Sequence, residues 1–373
     1  MSNENQIPLA LKNGYDRVFQ YIKNEFKDCD LLIANLETPL SDDPSHYSKK
    51  KYTFCAPRAL AVSLHKLNDH LILLNANNHC LDNDVSGLDE TIRILDEEKI
   101  EHTGIQSGNR NEYLMLDVGG KSVALLNYTY GTNAFSNHVY LSKHKQKRVN
   151  LLQNQELSNG FYRWFLATRF FPVRCFRWAC RHMGIFQIGT MPYERMGICK
   201  NKERAYLRMV RQASKKADFV ISCPHIGGQY NAEPSAYTRR IVAKTCRRIH
   251  SGAVLANHEH VIHPVKKESG EVICAYSLGN FLGANGVTEG PFDKMADYSI
   301  AINIYLSKDG SVPAKFSYSI YKCEDEKGLS VVHPLYNLLA SNPERGDLKN
   351  DLETITKFLS GTSLEPRKEY FAD

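Results

Sequence analysis

No stretch of the 373 residues approaches the ~20 consecutive apolar side chains that a membrane-crossing helix needs. The opening residues, MSNENQIPLALKNGYDR, lack a basic start followed by an apolar run, so no secretory signal is expected. Ten cysteines are scattered along the chain and none forms a CxxC pair, which excludes a zinc ribbon or a dithiol redox motif. The expectation is reduced thiols serving as small core residues, in a protein that is cytoplasmic or peripheral to a membrane. Internal repeats and low-complexity tracts are lacking too. Tryptophan is scarce: only Trp164 and Trp178 occur, both in one stretch.

What is present is an uneven charge. The net charge is +6, from 47 Lys and Arg against 41 Asp and Glu. Residues 143–216 hold 17 of the basic residues and only Glu156, Glu194 and Glu203 among the acids, a net of +14. The remainder, with 30 basic and 38 acidic residues, carries −8. The chain therefore reads as a mildly acidic body with a strongly basic, tryptophan-bearing insertion.

The body repeats one pattern, in which a short apolar run ends abruptly in polar residues. Asp30–Ala34 runs into Asn35-Leu36-Glu37, and Leu71–Leu74 into Asn75-Ala-Asn-Asn-His79. Asp218–Ser222 runs into Cys223-Pro-His225, Ala253–Ala256 into Asn257-His-Glu-His260, and Val272–Ala275 into Tyr276-Ser-Leu-Gly-Asn-Phe281. Runs so short and uniformly apolar predict strands covered on both faces. Helices are predicted between them: at 57–68, opening on Pro57; at 86–98, with Val85, Leu88, Ile92 and Leu95 on one stripe; and at 235–250. Residues 298–305 and 314–321 alternate strongly and predict antiparallel strands. A terminal helix and tail are expected over 341–373. Alternating strands and helices make this an α/β fold, in which ligands gather at the carboxyl ends of the strands. The domain expectation is one unit over 1–340 interrupted by the insertion at 143–216.

Glu37, Asn78, His225, His258 and His260 all follow such strands. Carboxylate, amide oxygen and imidazole form a mixed nitrogen and oxygen donor set, suited to one or two divalent ions of Mn, Fe or Zn. In extended backbone His258 and His260 share a face and can reach one centre. Two such ions could clamp a phosphate and supply a hydroxide nucleophile.

The order Asn35-Leu-Glu37, Ala76-Asn-Asn-His-Cys-Leu-Asp82, a strand ending at His225, His258-x-His260 and Ser277-Leu-Gly-Asn-Phe281 resembles the CapA-like bacterial capsule and poly-γ-glutamate synthesis proteins, of the calcineurin-like metallophosphoesterase superfamily. The resemblance spans roughly residues 15–285. It implies a four-layer α/β/β/α metallophosphatase-like sandwich with the basic aromatic insertion added, and Glu37, Asn78, His225, His258 and His260 as metal ligands. It implies His79 as general acid, Asp82 orienting it, and attack of a metal-bound hydroxide on a phosphoester or amide. Tyr128, Tyr130, Asn133 and Asn280 are the expected substrate contacts. The chain departs from the family pattern in three places. The opening strand ending in Gly-Asp is missing, Gln229 stands where the family has a glutamate, and Asn257 and Glu259 replace the usual neighbours of the paired histidines. The alternative function is therefore a catalytically weak, membrane-docked scaffold.

In the insertion, Phe161–Phe171 and Val173–His182 flank Pro172. Arg174, Arg177 and Arg181 recur at helical spacing beside a stripe of Phe171, Cys175 and Trp178. Three uses fit: docking of 161–182 at an anionic membrane surface, a lid, or binding of a polyanionic polymer or phosphorylated substrate. Nucleic acid is not an expected partner, because the segment matches no known module.

Overall fold

The computed structural model describes residues 6–48, 53–107, 112–142, 144–153, 155, 168, 170–182, 200–268, 272–283, 293–307 and 314–371. The predicted insertion segments 156–167 and 183–199, with Trp164, lie outside them.

Helix α1 (Gln6–Asn13) leads through a 3-10 turn (Tyr15–Phe19) to β1 (Leu32–Asn35). Two short strands follow, β2 (Leu40–Ser41) and β3 (Ala56–Pro57), then α2 (Arg58–His65), β4 (Leu71–Leu74), α3 (Asp84–Glu97) and β5 (Glu101–Thr103). Next come β6 (Leu114–Val118), β7 (Lys121–Thr129), the short α4 (Ala134–Asn137), α5 (Phe171–His182), α6 (Lys200–Lys216), β8 (Phe219–His225), α7 (Ala236–Cys246) and β9 (Gly252–Leu255). The chain closes with β10 (Val265–Glu268), β11 (Val272–Ala275), β12 (Tyr298–Tyr305), β13 (Lys315–Glu326), β14 (Leu329–Pro334), α8 (Leu335–Ser341), α9 (Gly346–Ser360) and β15 (Tyr370–Phe371).

One sheet runs β1-β4-β5, wholly parallel; the larger runs β10-β11-β9-β8-β7-β6, parallel through β11, β9, β8 and β7 with antiparallel edges. The side chains alternate as strand geometry requires. In β4, Ile72 and Leu74 face the larger sheet, meeting Val123 and Leu125 of β7 and Ile221 of β8. Leu71 and Leu73 face the other way, onto α2, the start of the chain and β14. In β7, Ala124, Leu126 and Tyr128 point to the opposite layer, against Tyr206, Leu207 and Val210 of α6 and Ile241 and Val242 of α7. Helix, sheet, sheet and helix thus stack in four layers, as expected. The third sheet, β12-β13-β14 with β15 on β13, packs on α8 and α9.

Several expectations are revised. Residues 200–216, counted with the basic insertion, form a helix whose Tyr206, Leu207, Val210 and Ala213 are buried in the core. A basic average hid its apolar face, because arginine and lysine occupy only the outer side. The tail after 360 is not simply polar coil. Tyr370 and Phe371 add a strand to β13, and Glu369 accepts hydrogen bonds from Asn303 Nδ2 (3.1 Å), Tyr305 Oη (2.5 Å) and Ser317. Pro57 sits just ahead of α2 rather than inside its first turn. Among the described residues no helix is long and apolar enough to cross a membrane.

Candidate metal centre

Parallel strands bring their carboxyl ends to one edge. Glu37 lies just past β1, Asn78 and His79 in the turn after β4, His225 at the end of β8, and His258 and His260 just past β9. The five expected ligands converge there. His225 Nε2 is 2.8 Å from Asn78 Oδ1 and 3.4 Å from Glu37 Oε1. His260 Nε2 is 3.9 Å from the same Glu37 oxygen, and the His258 ring centre is 4.9 Å from that of His225. One ligand atom from each of Glu37, His225 and His258 falls within 4.8 Å of the others.

Glu37 Oε1 and the Nδ1 atoms of His225 and His258 are buried without a hydrogen-bond partner. Orphaned buried donors and acceptors are costly, at about 1–3 kcal/mol each, and three of them belong to residues of this cluster. A divalent cation would satisfy such groups, and the nitrogen and oxygen donor set suits Mn, Fe or Zn. The electrostatics agree. Burial opposes ionisation of Glu37, but the charges of His225 and His260 and the His225 hydrogen bond override it and hold the carboxylate well below its ordinary range. Burial, reinforced by His225, keeps His258 well below the usual histidine value, and burial does the same for His260. Ionised carboxylate and neutral imidazoles are the forms that bind a metal.

The His258-Glu259-His260 segment is not extended, contrary to the expectation. His258 has φ 117° and His260 φ 62°, both in the left-handed half of backbone space that side chains with a Cβ avoid. A turn, rather than strand alternation, aims both rings inward. Such strain, of order 1–3 kcal/mol per residue, persists only where surrounding contacts fix it. Glu259, which the sequence reading noted only as a departure from the family pattern, is one of those contacts. Fully buried, it accepts hydrogen bonds from the Gly228 amide (2.8 Å) and Asn231 Nδ2 (3.0 Å). Burial outweighs these bonds and pushes its pKa up to about 7. Gly227, at φ 127°, makes room for it: a Cβ there would lie 2.4 Å from Glu259 Oε1. Position 259, between two ligating histidines, was the available signal.

His79 stands beside this cluster. Its Nδ1 meets Asp82 Oδ2 at 2.5 Å, and Asp82 also takes the Phe54 amide at 2.8 Å. Phe54 stacks on the imidazole with ring centres 4.1 Å apart. Burial lowers the His79 pKa, but the charge and hydrogen bond of Asp82, with Glu37 behind them, outweigh it and raise the value above the ordinary one. Asp82 thus fixes the ring and its tautomer, leaving Nε2 outside that bond.

Of the expected substrate contacts, three reach the cluster. Tyr130 Oη is 3.0 Å from His258 Nε2, and Asn280 Oδ1 is 2.9 Å from His260 Nδ1. Asn133 accepts from Asn78 Nδ2 at 3.1 Å and approaches His79 Nδ1 at 3.4 Å. Tyr128 does not join them. It lies on the helix-covered face of β7, buried against Tyr206 with ring centres 5.0 Å apart. Asn127, which the sequence reading passed over, holds the framework. Its side chain takes the Ala76 amide (2.6 Å) and donates to the Cys223 carbonyl (3.0 Å), clamping the turn of one sheet to a strand of the other.

Comparison of the sequence with known proteins finds relatives. The chain is 22% identical over 295 residues to the PGA biosynthesis protein CapA of Bacillus subtilis (strain 168), covering 78% of this chain and 63% of that protein. It is 23% identical over 300 residues to the capsule biosynthesis protein CapA of Bacillus anthracis, covering 78% and 59%. An uncharacterized protein, y4uA, of Sinorhizobium fredii (strain NBRC 101917 / NGR234) is 35% identical over 102 residues, 26% of this chain and 22% of that one. The chain spans about three-fifths of the length of the two CapA relatives. The family model described as bacterial capsule synthesis protein PGA_cap matches residues 1–285, the span that carries every residue of the cluster, and the chain belongs to that family.

Proposed function

We propose that this protein is a metal-dependent hydrolase of capsule or exopolymer synthesis, cleaving a phosphoester or amide bond in a polyanionic polymer or its phosphorylated precursor. The observation that carries the reading is the convergence of Glu37, Asn78, His225, His258 and His260 beside the His79–Asp82 pair. The relatives named for PGA and capsule biosynthesis support the biological setting.

Glu37, His225 and His258 would hold the ion, with His260 and Asn78 completing the donor set. When bound, a divalent ion there would polarise the scissile group and make a water-derived nucleophile available near neutral pH. The chain's own residues do the rest. Asp82 holds His79 protonated and oriented, and His79 Nε2 delivers that proton to the departing oxygen or nitrogen. Asn133, bridging Asn78 and His79, sets the distance between the ligand cluster and the acid. Tyr130 and Asn280 fix the two histidine rings through hydrogen bonds.

The test is to load the protein with Mn²⁺, Fe²⁺ or Zn²⁺, measure bound metal by emission spectroscopy, and assay phosphomonoesters, phosphodiesters and γ-glutamyl peptides. Bound metal with turnover of one class establishes the activity and its bond. Protein that binds metal and hydrolyses none of them acts by binding alone. Protein that does neither ends the hydrolase reading.

A further inference from the structure

Helix α5 exposes its large aromatic side chains. Phe171 is 72% exposed, Phe176 57% and Trp178 64%, and Phe170 just ahead of the helix is 61% exposed. Four large aromatic side chains in nine residues thus face solvent, whereas the other large exposed apolar side chains are spread along the chain. Phe171 and Trp178 share one side of the helix and Phe176 lies roughly opposite, and soluble proteins rarely expose so many large apolar side chains on one short helix without a use for them. A lid would need these rings packed onto the body, whereas Phe171, Phe176 and Trp178 are each more than half exposed.

The charge beside the patch is of one sign. Residues 170–182 hold Arg174, Arg177 and Arg181 and no acid. At 3.6 residues per turn the three arginine positions fall on one narrow stripe, with Phe171, Cys175 and Trp178 on the stripe next to it. Arg174 is exposed. A soluble polyanion would use the arginines and leave the aromatics without purpose. An anionic lipid surface uses both: arginines pair with headgroups while aromatic rings settle at the acyl boundary.

We propose that helix α5, with Phe170 ahead of it, docks the protein on an anionic membrane surface. This inference is independent of the hydrolase reading, since it rests on none of the cluster residues.

Co-sedimentation of the full chain with vesicles tests it. Binding is expected to phosphatidylcholine vesicles containing about 30% phosphatidylglycerol, falling as salt is raised, and not to phosphatidylcholine alone. Each arginine near such a surface contributes about fivefold, so the triple variant Arg174→Gln, Arg177→Gln, Arg181→Gln is expected to weaken binding by more than tenfold. Phe171→Ser with Trp178→Ser should weaken it comparably without altering salt dependence. All five positions lie on a helix whose described large side chains are exposed, and circular dichroism of each variant against the parent verifies an unchanged fold. Equal binding to neutral vesicles, undiminished binding by both variants, or binding of soluble polyglutamate through the same arginines with none to anionic vesicles would each overturn the proposal.

Discussion

Two buried carboxylates act on the cluster through histidines and backbone, and each makes a prediction. Asp82 touches the cluster through His79, its other bond being to the Phe54 amide, so Asp82→Asn is expected to lower turnover by about 10²–10⁴-fold while bound metal stays unchanged. The sign of its pH effect follows from the raised His79 pKa. A general acid works while protonated, so removing the Asp82 charge lowers that pKa and moves the alkaline limb of the rate profile to lower pH. Steady-state kinetics across pH, with metal content measured in parallel, checks both. Glu259 instead supports the ligands. Glu259→Ala leaves the Gly228 amide and Asn231 without their acceptor and frees the strained His258–His260 turn. Divalent-metal affinity should drop by about 10–100-fold in calorimetric titration, with Glu259→Gln less affected because it retains an acceptor oxygen.

At the scale of elements, the site depends on how the turn after β4 is held against β7 and β8. Gly104, just past β5, has φ 100°, and a Cβ there would lie 2.3 Å from Asn127 Oδ1 and 2.4 Å from the Ala76 amide nitrogen. Gly104→Ala would push apart the pair that clamps the two sheets, so it is expected to cost more than about 1 kcal/mol in denaturant unfolding and to weaken metal binding with it. The strands and their polar ends were legible in the sequence because short apolar runs bounded by polar residues report strand length directly. The clamp was not. Asn127 reads as one more polar strand end, and its two partners, Ala76 and Cys223, lie 51 and 96 residues away. Tyr128 shows the same limit. It was an expected substrate contact, whereas the two-residue alternation of β7 turned it to the helix layer.

Across the whole molecule, stability also draws on charge networks between elements. Asp42, after β2, accepts from Arg58 Nε (2.7 Å) at the start of α2 and from Arg93 Nη2 (2.7 Å) on α3. The Arg58 hydrogen bonds first, then those of Arg93, hold the Asp42 carboxyl well below its ordinary 3.8. A depressed acid contributes stability above its unfolded pKa and loses it as pH falls through the folded one. Asp42→Asn is therefore expected to cost up to about 1 kcal/mol near neutral pH, a modest figure because the pair is partly solvated. The gap to the parent should narrow below pH 3.8 and in high salt, as thermal unfolding across pH would record. By itself the sequence determined the α/β class and the polar residues that end its strands, while the roles of His79 and Asp82 rested on the family resemblance. The class and the strand ends follow from local order: an apolar run, then polar residues, at the same end of each strand. The tertiary structure decided the rest. It turned part of a basic stretch into a core helix, added the last residues to a sheet, and built the His258–His260 turn on a buried Glu259. Those outcomes depend on contacts between distant segments, and one-dimensional periodicity carries no record of what lies across a layer.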